Sequence, residues 1–479
     1  MLLTDLISEI STVKKILGSA EIDVKNICAD SRKVTEGDLF VAISGVAVDG
    51  HKYIDTAIEK GAKVIVCEKL PSTQVEGITY VQVEDSADCL GRLASAYYDY
   101  PSEKLIIIGV TGTNGKTTIA TLLYELYREL GYKVGLLSTV CNYINGRPIP
   151  STHTTPDALS LQKLLAEMAE ERCYYVFMEV SSHSVDQKRI AGINFDGAVF
   201  TNITRDHLDY HKTFSNYIKA KQDFFTNLPI HAFALTNVDD KNGKIVTQNS
   251  SANVYAYSLE THANFRAKVL EETMDGMLLK IDDKELYVRL IGHFNAYNIL
   301  AVYGVTKILR TPTEDVLVAL SKLKPVNGRF ECYRLKNGAS AVIDYAHTPD
   351  ALENVLNTVN QINKTGKTIC VVGCGGNRDK GKRPMMAKIA VKMSDEVFFT
   401  SDNPRDEEVK DIINDMLAGL TEDEKMNVTC IEDRKEAILE ACNVAEKGDV
   451  VLIAGKGHET YQEIKGVKHH FDDKEIILN

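Results

Sequence analysis

Gly112-Thr113-Asn114-Gly115-Lys116-Thr117-Thr118 follows the apolar run Leu105-Ile106-Ile107-Ile108-Gly109-Val110. It precedes a segment in which Ile119, Leu122, Leu123, Leu126 and Leu130 recur at helical spacing. A strand, a glycine turn and a helix in that order make a cradle for phosphate. Glycines let backbone N–H groups approach phosphate oxygens, the helix amino terminus adds positive potential, Lys116 supplies a point charge, and the Thr117 hydroxyl reaches Mg²⁺. Val110 stands where the strict phosphate-loop pattern has glycine, so the motif is a variant. Gly131 is placed to stop the helix. The stretch from Gly112 to Thr118 is therefore read as a nucleoside triphosphate site.

Downstream, Tyr175-Val176-Phe177-Met178-Glu179-Val180 and Gly197-Ala198-Val199-Phe200-Thr201-Asn202-Ile203 are strand-like. The block has the β-α-β alternation of a parallel sheet covered by helices, whose ligands sit at the carboxyl ends of the strands. Glu179 ends one strand, and Arg205-Asp206-His207-Leu208-Asp209-Tyr210-His211 follows the next, so both face the nucleotide. Taken singly, such a carboxylate is equally a solvated loop residue, and the histidines are packing or surface groups. Lys221 lies in the helical stretch from Phe214 to Phe225, on one face with Ile218 and Phe225. The plain reading sends its charged head to water. The alternative is a desolvated, neutral amine that adds carbon dioxide and becomes an anionic oxygen ligand suited to Mg²⁺. Spacing alone does not choose between them.

The 479 residues exceed what one core supports, and three domains are expected. Asp38 to Ile43 and Ala62 to Glu68 are apolar runs between helical stretches, and Tyr100-Pro101-Ser102 reads as a linker after a small α/β unit. Beyond Lys324-Pro325-Val326-Asn327-Gly328 come four strand-like runs starting at Ala341, Thr368, Glu396 and Val450, a second doubly wound unit. Lys plus Arg number 55 against 67 for Asp plus Glu, a net charge of -12, which disfavours a nucleic-acid partner. The start, MLLTDLISEI, carries acidic residues where a signal peptide would be basic, and no apolar run approaches membrane-spanning length, so a cytoplasmic protein with no membrane partner is expected. The ten cysteines are scattered, and the closest pair, Cys370 and Cys374, lacks the spacing of a zinc site. Nothing suggests coiled-coil association, and a monomer is expected.

Taken in order, Asp30-Ser31-Arg32 with GDLFVA, GTNGKTT, MEVSSH, TNITRDHLDYH, DYAHTPDALE, GCGGNRDKGKRP, DNPR and AGKGHE resemble the motifs of the Mur ligases over nearly the whole chain. The resemblance is to the branch that adds a diamino acid to a UDP-linked muramoyl dipeptide. It implies an α/β protein of three domains: an N-terminal α/β UDP-binding domain over 1–101, a central P-loop parallel-sheet ATPase over 102–326, and a C-terminal Rossmann-like domain over 327–479 that receives the amino acid. ATP would phosphorylate the D-glutamate side-chain carboxylate, and the amine of meso-2,6-diaminopimelate would displace the phosphate.

Residue by residue, the resemblance places Ser31 at the UDP portion, and Thr154, Thr155, Ser181, Gln187 and Arg189 at the muramoyl peptide. Gly112, Thr113, Asn114, Gly115, Lys116, Thr117 and Thr118 would serve ATP, with Asn295 and Asn298 near the adenine and Arg329 and Asp344 near the ribose or the domain junction. Thr117, Glu179, His207 and carbamylated Lys221 would hold Mg²⁺. For the diamino acid, Arg378 and Arg405 would clamp the carboxylate that diaminopimelate has and lysine lacks, through charge-assisted bidentate bonds. Asp402, Asn403, Pro404, Gly455 and Glu459 complete that site, although an Asn-Pro pair is also what a plain turn contains. Two stretches depart from the common pattern, SGVAVDG in the first domain and TVCNY, where Cys141 replaces a frequent glycine. A lysine-adding Mur-type ligase, a folate polyglutamate ligase and a nucleotide-dependent switch are the alternatives. No guanine-reading motif favours the switch, since TNVDD at Thr236 to Asp240 is a poor substitute.

Overall fold

The computed structural model describes residues 1–8, 10–45, 48–151 and 153–478. Val46 and Ala47 of the divergent SGVAVDG stretch lie outside the described residues. Three large sheets follow one another along the chain. The first has the strand order Val13–Leu17, Thr79–Val83, Val64–Cys67, Leu39–Val41, Ile27–Cys28. Only Val13–Leu17 runs antiparallel to its neighbour. Helix Ser86–Tyr97 begins where the Asp85 carboxylate accepts the amides of Ala87 and Asp88, and it buries Leu90 and Leu93 against this sheet.

The central sheet has eleven strands. Its middle is parallel, with Ile106–Thr111 between Tyr175–Glu179 and Gly197–Phe200 in register Ile108↔Phe177 and Ile108↔Gly197. The expectation of a parallel sheet is corrected at both edges. Val134–Leu137 pairs antiparallel with a hairpin, Asn142–Ile144 and Arg147–Ile149, and a meander of Phe265–Thr273, Gly276–Ile281 and Lys284–Val288 closes the other side. Asn145 and Gly146 turn the hairpin with φ of 47° and 89°, and Asp282 and Asp283 turn the meander with φ of 46° and 64°. Positive φ at both central residues matches the twist of paired antiparallel strands, and Asn, Asp and Gly tolerate it.

The third sheet runs Glu331–Arg334, Ser340–Asp344, Val450–Ala454, Thr368–Cys374, Glu396–Ser401, Val428–Cys430, parallel except for the first pair. The last long strand of the chain thus inserts between two earlier ones. This brings the loops after Asp344, Cys374, Ser401 and Ala454 to one edge. Among the described residues, no helix is long and apolar enough to cross a membrane.

Helix Lys116–Glu129 presents the apolar face expected of it: Ile119, Leu122, Leu123 and Leu126 are buried in the largest core cluster, and Gly131 follows at φ 87°. Its position over the central strands fixes the glycine turn at its amino end. Leu123→Ala should therefore cost about 2–5 kcal/mol of stability. Urea denaturation checks this, and a loss below about 1 kcal/mol would mean that the helix does not anchor on this face.

Candidate functional site

The glycine turn is shaped by the segment after the neighbouring strand. The amide of Thr113 donates to the Asn202 carbonyl at 2.8 Å and the amide of Asn114 to Asn202 Oδ1 at 2.9 Å, while Thr201 Oγ1 donates to the Asn114 carbonyl at 2.6 Å. Thr113 Oγ1 sits 3.0 Å from the Tyr217 hydroxyl. Gly112 has φ 148°, and a Cβ there would lie 1.8 Å from Thr201 Oγ1. Gly115 has φ 88°, and a Cβ there would meet Asn298 Oδ1 at 2.6 Å. Both positions demand glycine, for conformation and for space. Lys116 Nζ donates to the carbonyls of Gly112 and Thr113 at 2.9 and 2.7 Å. Thr118 is buried in the first turn of the helix.

Glu179 is buried at the end of its strand, where Oε2 accepts the Thr117 hydroxyl at 3.0 Å and Oε1 the Thr139 amide at 2.8 Å. A hydroxyl and a carboxylate held together are the hard oxygen donors that Mg²⁺ takes alongside phosphate and water, so the residues fit that ion. His207, at φ 54°, places Nε2 3.3 Å from Asp206 Oδ2. Burial pulls its imidazole down to about 4, which keeps it neutral and able to donate a lone pair. Lys221 is only 1% exposed, which overturns the reading of a lysine reaching for water. Its Nζ donates to the Gly112 carbonyl at 2.8 Å and lies 4.7 Å from the Tyr217 ring centre. Among the described residues no carboxylate forms an ion pair with it. Burial, and then the nearby Lys116 charge, push its amine well below the usual lysine range.

The third sheet reaches this centre directly. Arg329 Nη2 donates to Thr117 Oγ1 at 3.1 Å, and its guanidinium covers the Tyr345 ring at 4.5 Å. Asp350 Oδ2 accepts Asn114 Nδ2 at 2.9 Å and Thr204 Oγ1 at 3.2 Å. Asp344 accepts the Phe330 amide at 2.8 Å, and burial raises its carboxyl to about 6. Asn298 Nδ2 donates to Asn295 Oδ1 at 2.9 Å, and Asn295 Nδ2 donates to the Ile291 carbonyl, so this pair flanks the glycine turn from the helix His293–Ile308.

On the other side of Glu179, Thr155 Oγ1 donates to its carbonyl at 2.8 Å and accepts the Ser181 amide at 3.2 Å. Thr139 Oγ1 donates to Thr154 Oγ1 at 3.1 Å. Arg189 Nη1 donates to the Thr155 carbonyl, its other nitrogens grip Gln187 Oε1, and Gln187 Nε2 donates to the Tyr210 hydroxyl. The five residues expected at the muramoyl peptide therefore form one cluster. Ser31 is buried in the first sheet's region, and among the described residues no hydrogen bond joins it to that cluster.

At the edge of the third sheet, a Cβ on Gly455 would lie 2.7 Å from Asp402 Oδ2, so the two loops touch. Asn403 Nδ2 donates to Glu459 Oε2 at 2.8 Å, and the fully buried Lys456 Nζ reaches the same oxygen at 3.0 Å. The Pro404 carbonyl accepts the Glu407 amide. Arg405, at φ 52°, donates from Nη1 to the Gly376 carbonyl at 2.8 Å, and its Nε stands 3.5 Å from Glu463 Oε2. Arg378 is exposed and makes no hydrogen bond or ion pair among the described residues. Both arginines flank Gly375, where a Cβ would lie 3.0 Å from Arg405 Nη1 and 3.7 Å from Arg378 Cγ.

Residues 23–98, 110–306 and 328–457 match, respectively, the Mur ligase family catalytic domain, the Mur ligase middle domain and the Mur ligase glutamate ligase domain. A UDP-N-acetylmuramoyl-L-alanyl-D-glutamate--2,6-diaminopimelate ligase of Phocaeicola vulgatus is 59% identical over 467 residues, covering 97% of this chain and 96% of that protein. The chain belongs to the Mur ligase family. A second relative of the same name, from Bacteroides fragilis, is 58% identical over 100% of this chain and 98% of its own length. A solved ligase of that name superposes with a TM-score of 0.70 at 31% identity, covering 100% of this chain and 98% of its own.

Several residues of this Mur ligase site carry geometry that sequence reading did not assign. Asn202 and Thr201 shape the glycine turn, Asp350 ties the third sheet to it, and Lys456 neutralises Glu459. Each lies inside a motif already quoted: Thr201, Asn202 and Lys456 directly follow strand ends, and Asp350 stands in the first turn of the helix after a strand. Gly112→Ala should lower phosphate release from ATP by about a hundredfold or more, because the turn must shift by the width of an atom to admit the methyl group. A colorimetric phosphate assay decides it, and activity within a few-fold of the parent would refute the contact with Thr201.

Proposed function

We propose that this Mur ligase joins meso-2,6-diaminopimelate to the D-glutamate side-chain carboxyl of UDP-N-acetylmuramoyl-L-alanyl-D-glutamate, with ATP converted to ADP and phosphate. The relatives of 58–59% identity bear the name of that reaction. The observation that carries it is structural: the phosphate cradle and the two arginines around Gly375 stand on the carboxyl edges of two sheets joined through Arg329–Thr117 and Asp350–Asn114. The division at 1–101, 102–326 and 327–479 then assigns the UDP end, the nucleotide and the amino acid to one domain each.

The chemistry follows from reactivity. A carboxylate resists attack by an amine because it would have to expel oxide. Transfer of the terminal phosphoryl group of ATP onto one carboxylate oxygen makes that oxygen a leaving group. The neutral amine adds to the acyl carbon, the tetrahedral adduct expels phosphate, and a proton leaves the nitrogen. Thr154, Thr155, Ser181, Gln187 and Arg189 hold the muramoyl peptide beside Glu179, and Ser31 holds the uridine part. Lys116 and the amides from Gly115 to Thr118 hold the triphosphate on the turn that Gly112, Thr113 and Asn114 shape, with Asn295 and Asn298 towards the adenine and Arg329 and Asp344 at the junction. Mg²⁺, when bound, neutralises the charge that develops on the transferring phosphoryl oxygens.

Thr117, Glu179, His207 and Lys221 would hold that ion. Lys221 suits the role only as a carbamate. Its neutral amine adds carbon dioxide, forming one N–C bond and releasing one proton, and the product is an anion with hard oxygens. Asp402, Asn403, Pro404, Gly455 and Glu459 orient the diamino acid, while Arg378 and Arg405 meet its distal carboxylate. Lysine would leave those donors unpaired, at about 1–3 kcal/mol or more, which gives at least tenfold discrimination. The substrates are three small molecules, and a cytoplasmic monomer is the corresponding state.

Two outcomes test this reading. Supplied with Mg²⁺, ATP and the UDP-muramoyl dipeptide, the protein should form ADP and an extended peptide with diaminopimelate and far less with lysine; Arg405→Ala should raise the diaminopimelate KM about tenfold and erase the preference. Phosphate release indifferent to both acceptors would instead indicate a switch. Lys221→Ala should be inactive and regain activity with millimolar formate or acetate, whereas a fully active variant would remove the carbamate from the mechanism.

A further inference from the structure

Arg383 belongs to the helix Lys382–Met393, and its side chain is fully buried. Nη1 donates to Glu407 Oε2 at 2.9 Å and to Asp415 Oδ2 at 2.7 Å. Nη2 donates to Glu407 Oε1 at 2.9 Å and to the Gly375 carbonyl at 3.2 Å. Glu407 in turn accepts the Asn377 amide at 2.6 Å, and Asn377 Oδ1 accepts the Asp406 amide at 3.1 Å. Arg383 thus joins two irregular loops, the one after Thr368–Cys374 that carries Arg378 and the one after Glu396–Ser401 that carries Arg405 and Glu407.

We infer that Arg383 and Glu407 are positioning residues for amino-acid choice: their buried bidentate pair, extended to both loops by the bonds of Asn377, is a brace that sets the separation of Arg378 and Arg405, and with it the fit of a second carboxylate. Neither residue touches the diamino acid. The inference rests on the proposed role of the two arginines. Its physical basis is that loops have no repeating hydrogen-bond ladder to fix their spacing, so side chains must supply it. A planar guanidinium spanning both oxygens of one carboxylate fixes distance and angle together. Lysine has a single point of charge and cannot hold Glu407, Asp415 and the Gly375 carbonyl at once.

Steady-state kinetics of the full chain test it with Arg383→Lys and Asn377→Gly. The second variant keeps a residue suited to φ 53° and removes only the bond to the Asp406 amide, leaving the ion pair in place. For Arg383→Lys, the diaminopimelate KM should rise about tenfold or more and the preference over lysine should fall by the same factor, with the KM values for ATP and the UDP-dipeptide within about twofold. Asn377→Gly should move the same two quantities in the same direction by about threefold. A fall in kcat alone, a common rise in all three KM values, or retention of the preference would overturn the inference, since a general loss of structure does not single out one substrate. Should Arg383→Lys fail to fold in a thermal melt, the preference of Asn377→Gly decides, and an unchanged preference counts against the brace. Parent protein that ligates no diaminopimelate would sink the proposed function instead.

Discussion

The Thr117 hydroxyl is the point on which the site converges. It donates to Glu179 on the central sheet, accepts from Arg329 ahead of the third sheet, and stands in the first turn of the helix that closes the phosphate cradle. Its position depends on the turn before it, where Gly112 and Gly115 leave no room for a side chain between the helix and Thr201 or Asn298. Backbone packed that closely is a fixed dipole array that needs little reorganisation when charge arrives.

The protein carries net negative charge, yet the centre concentrates cations: Lys116, Lys221 and Arg329 lie around one glycine turn, and Lys456 is buried at the neighbouring edge. A polyphosphate and a peptide acid both need such a region, and the rest of the surface does not. Two ammonium groups that share the Gly112 carbonyl repel each other, and burial raises the cost of holding both charged. Relief comes from making one of them neutral. Lys221 is the candidate because Lys116 is held by two carbonyls and Lys221 by one, over an aromatic ring.

The central strand, turn and helix were legible because periodicity and glycine placement agree: the apolar face from Ile119 to Leu126 is buried as spaced. The edges of the same sheet were not read, although Asn145-Gly146 and Asp282-Asp283 are turn pairs that mark antiparallel hairpins. A two-residue turn is a local signal that leaves the apolar spacing of its flanking strands unchanged, so the parallel pattern at the centre of the sheet says nothing of its edges. The site divides similarly. Glu179 ends a strand and Arg405 lies in the short loop after one, so topology places them. Thr117 and Asn114 lie more than two hundred positions from Arg329 and Asp350 in the chain, and no local pattern announces them as their contacts. Lys221 is the intermediate case, since helical spacing put it on the right face without saying whether that face was dry.

A buried arginine recurs in the third sheet as a means of fixing loop positions. Arg434 and Asp473 are both fully buried, and Arg434 also donates to the carbonyls of Ser401 and Ala454, the last residues of the two strands that flank Thr368–Cys374. The loops that start there carry Asp402 and Gly455. Arg383 does the same for the carbonyl of Gly375 and the carboxylate of Glu407. Such pairs are weak evidence for stability, because desolvating two ions offsets most of their attraction. Their value lies in geometry: Arg434 ties two strand ends, which the sheet already fixes, to the helix Asp473–Leu478, and Arg383 ties the residue after a strand to a loop, which the sheet does not fix. On the proposed reading this edge distinguishes one carboxylate from none, which needs its loops held to a fraction of an ångström, and a planar, multiply bonded cation supplies that where an apolar contact would slide.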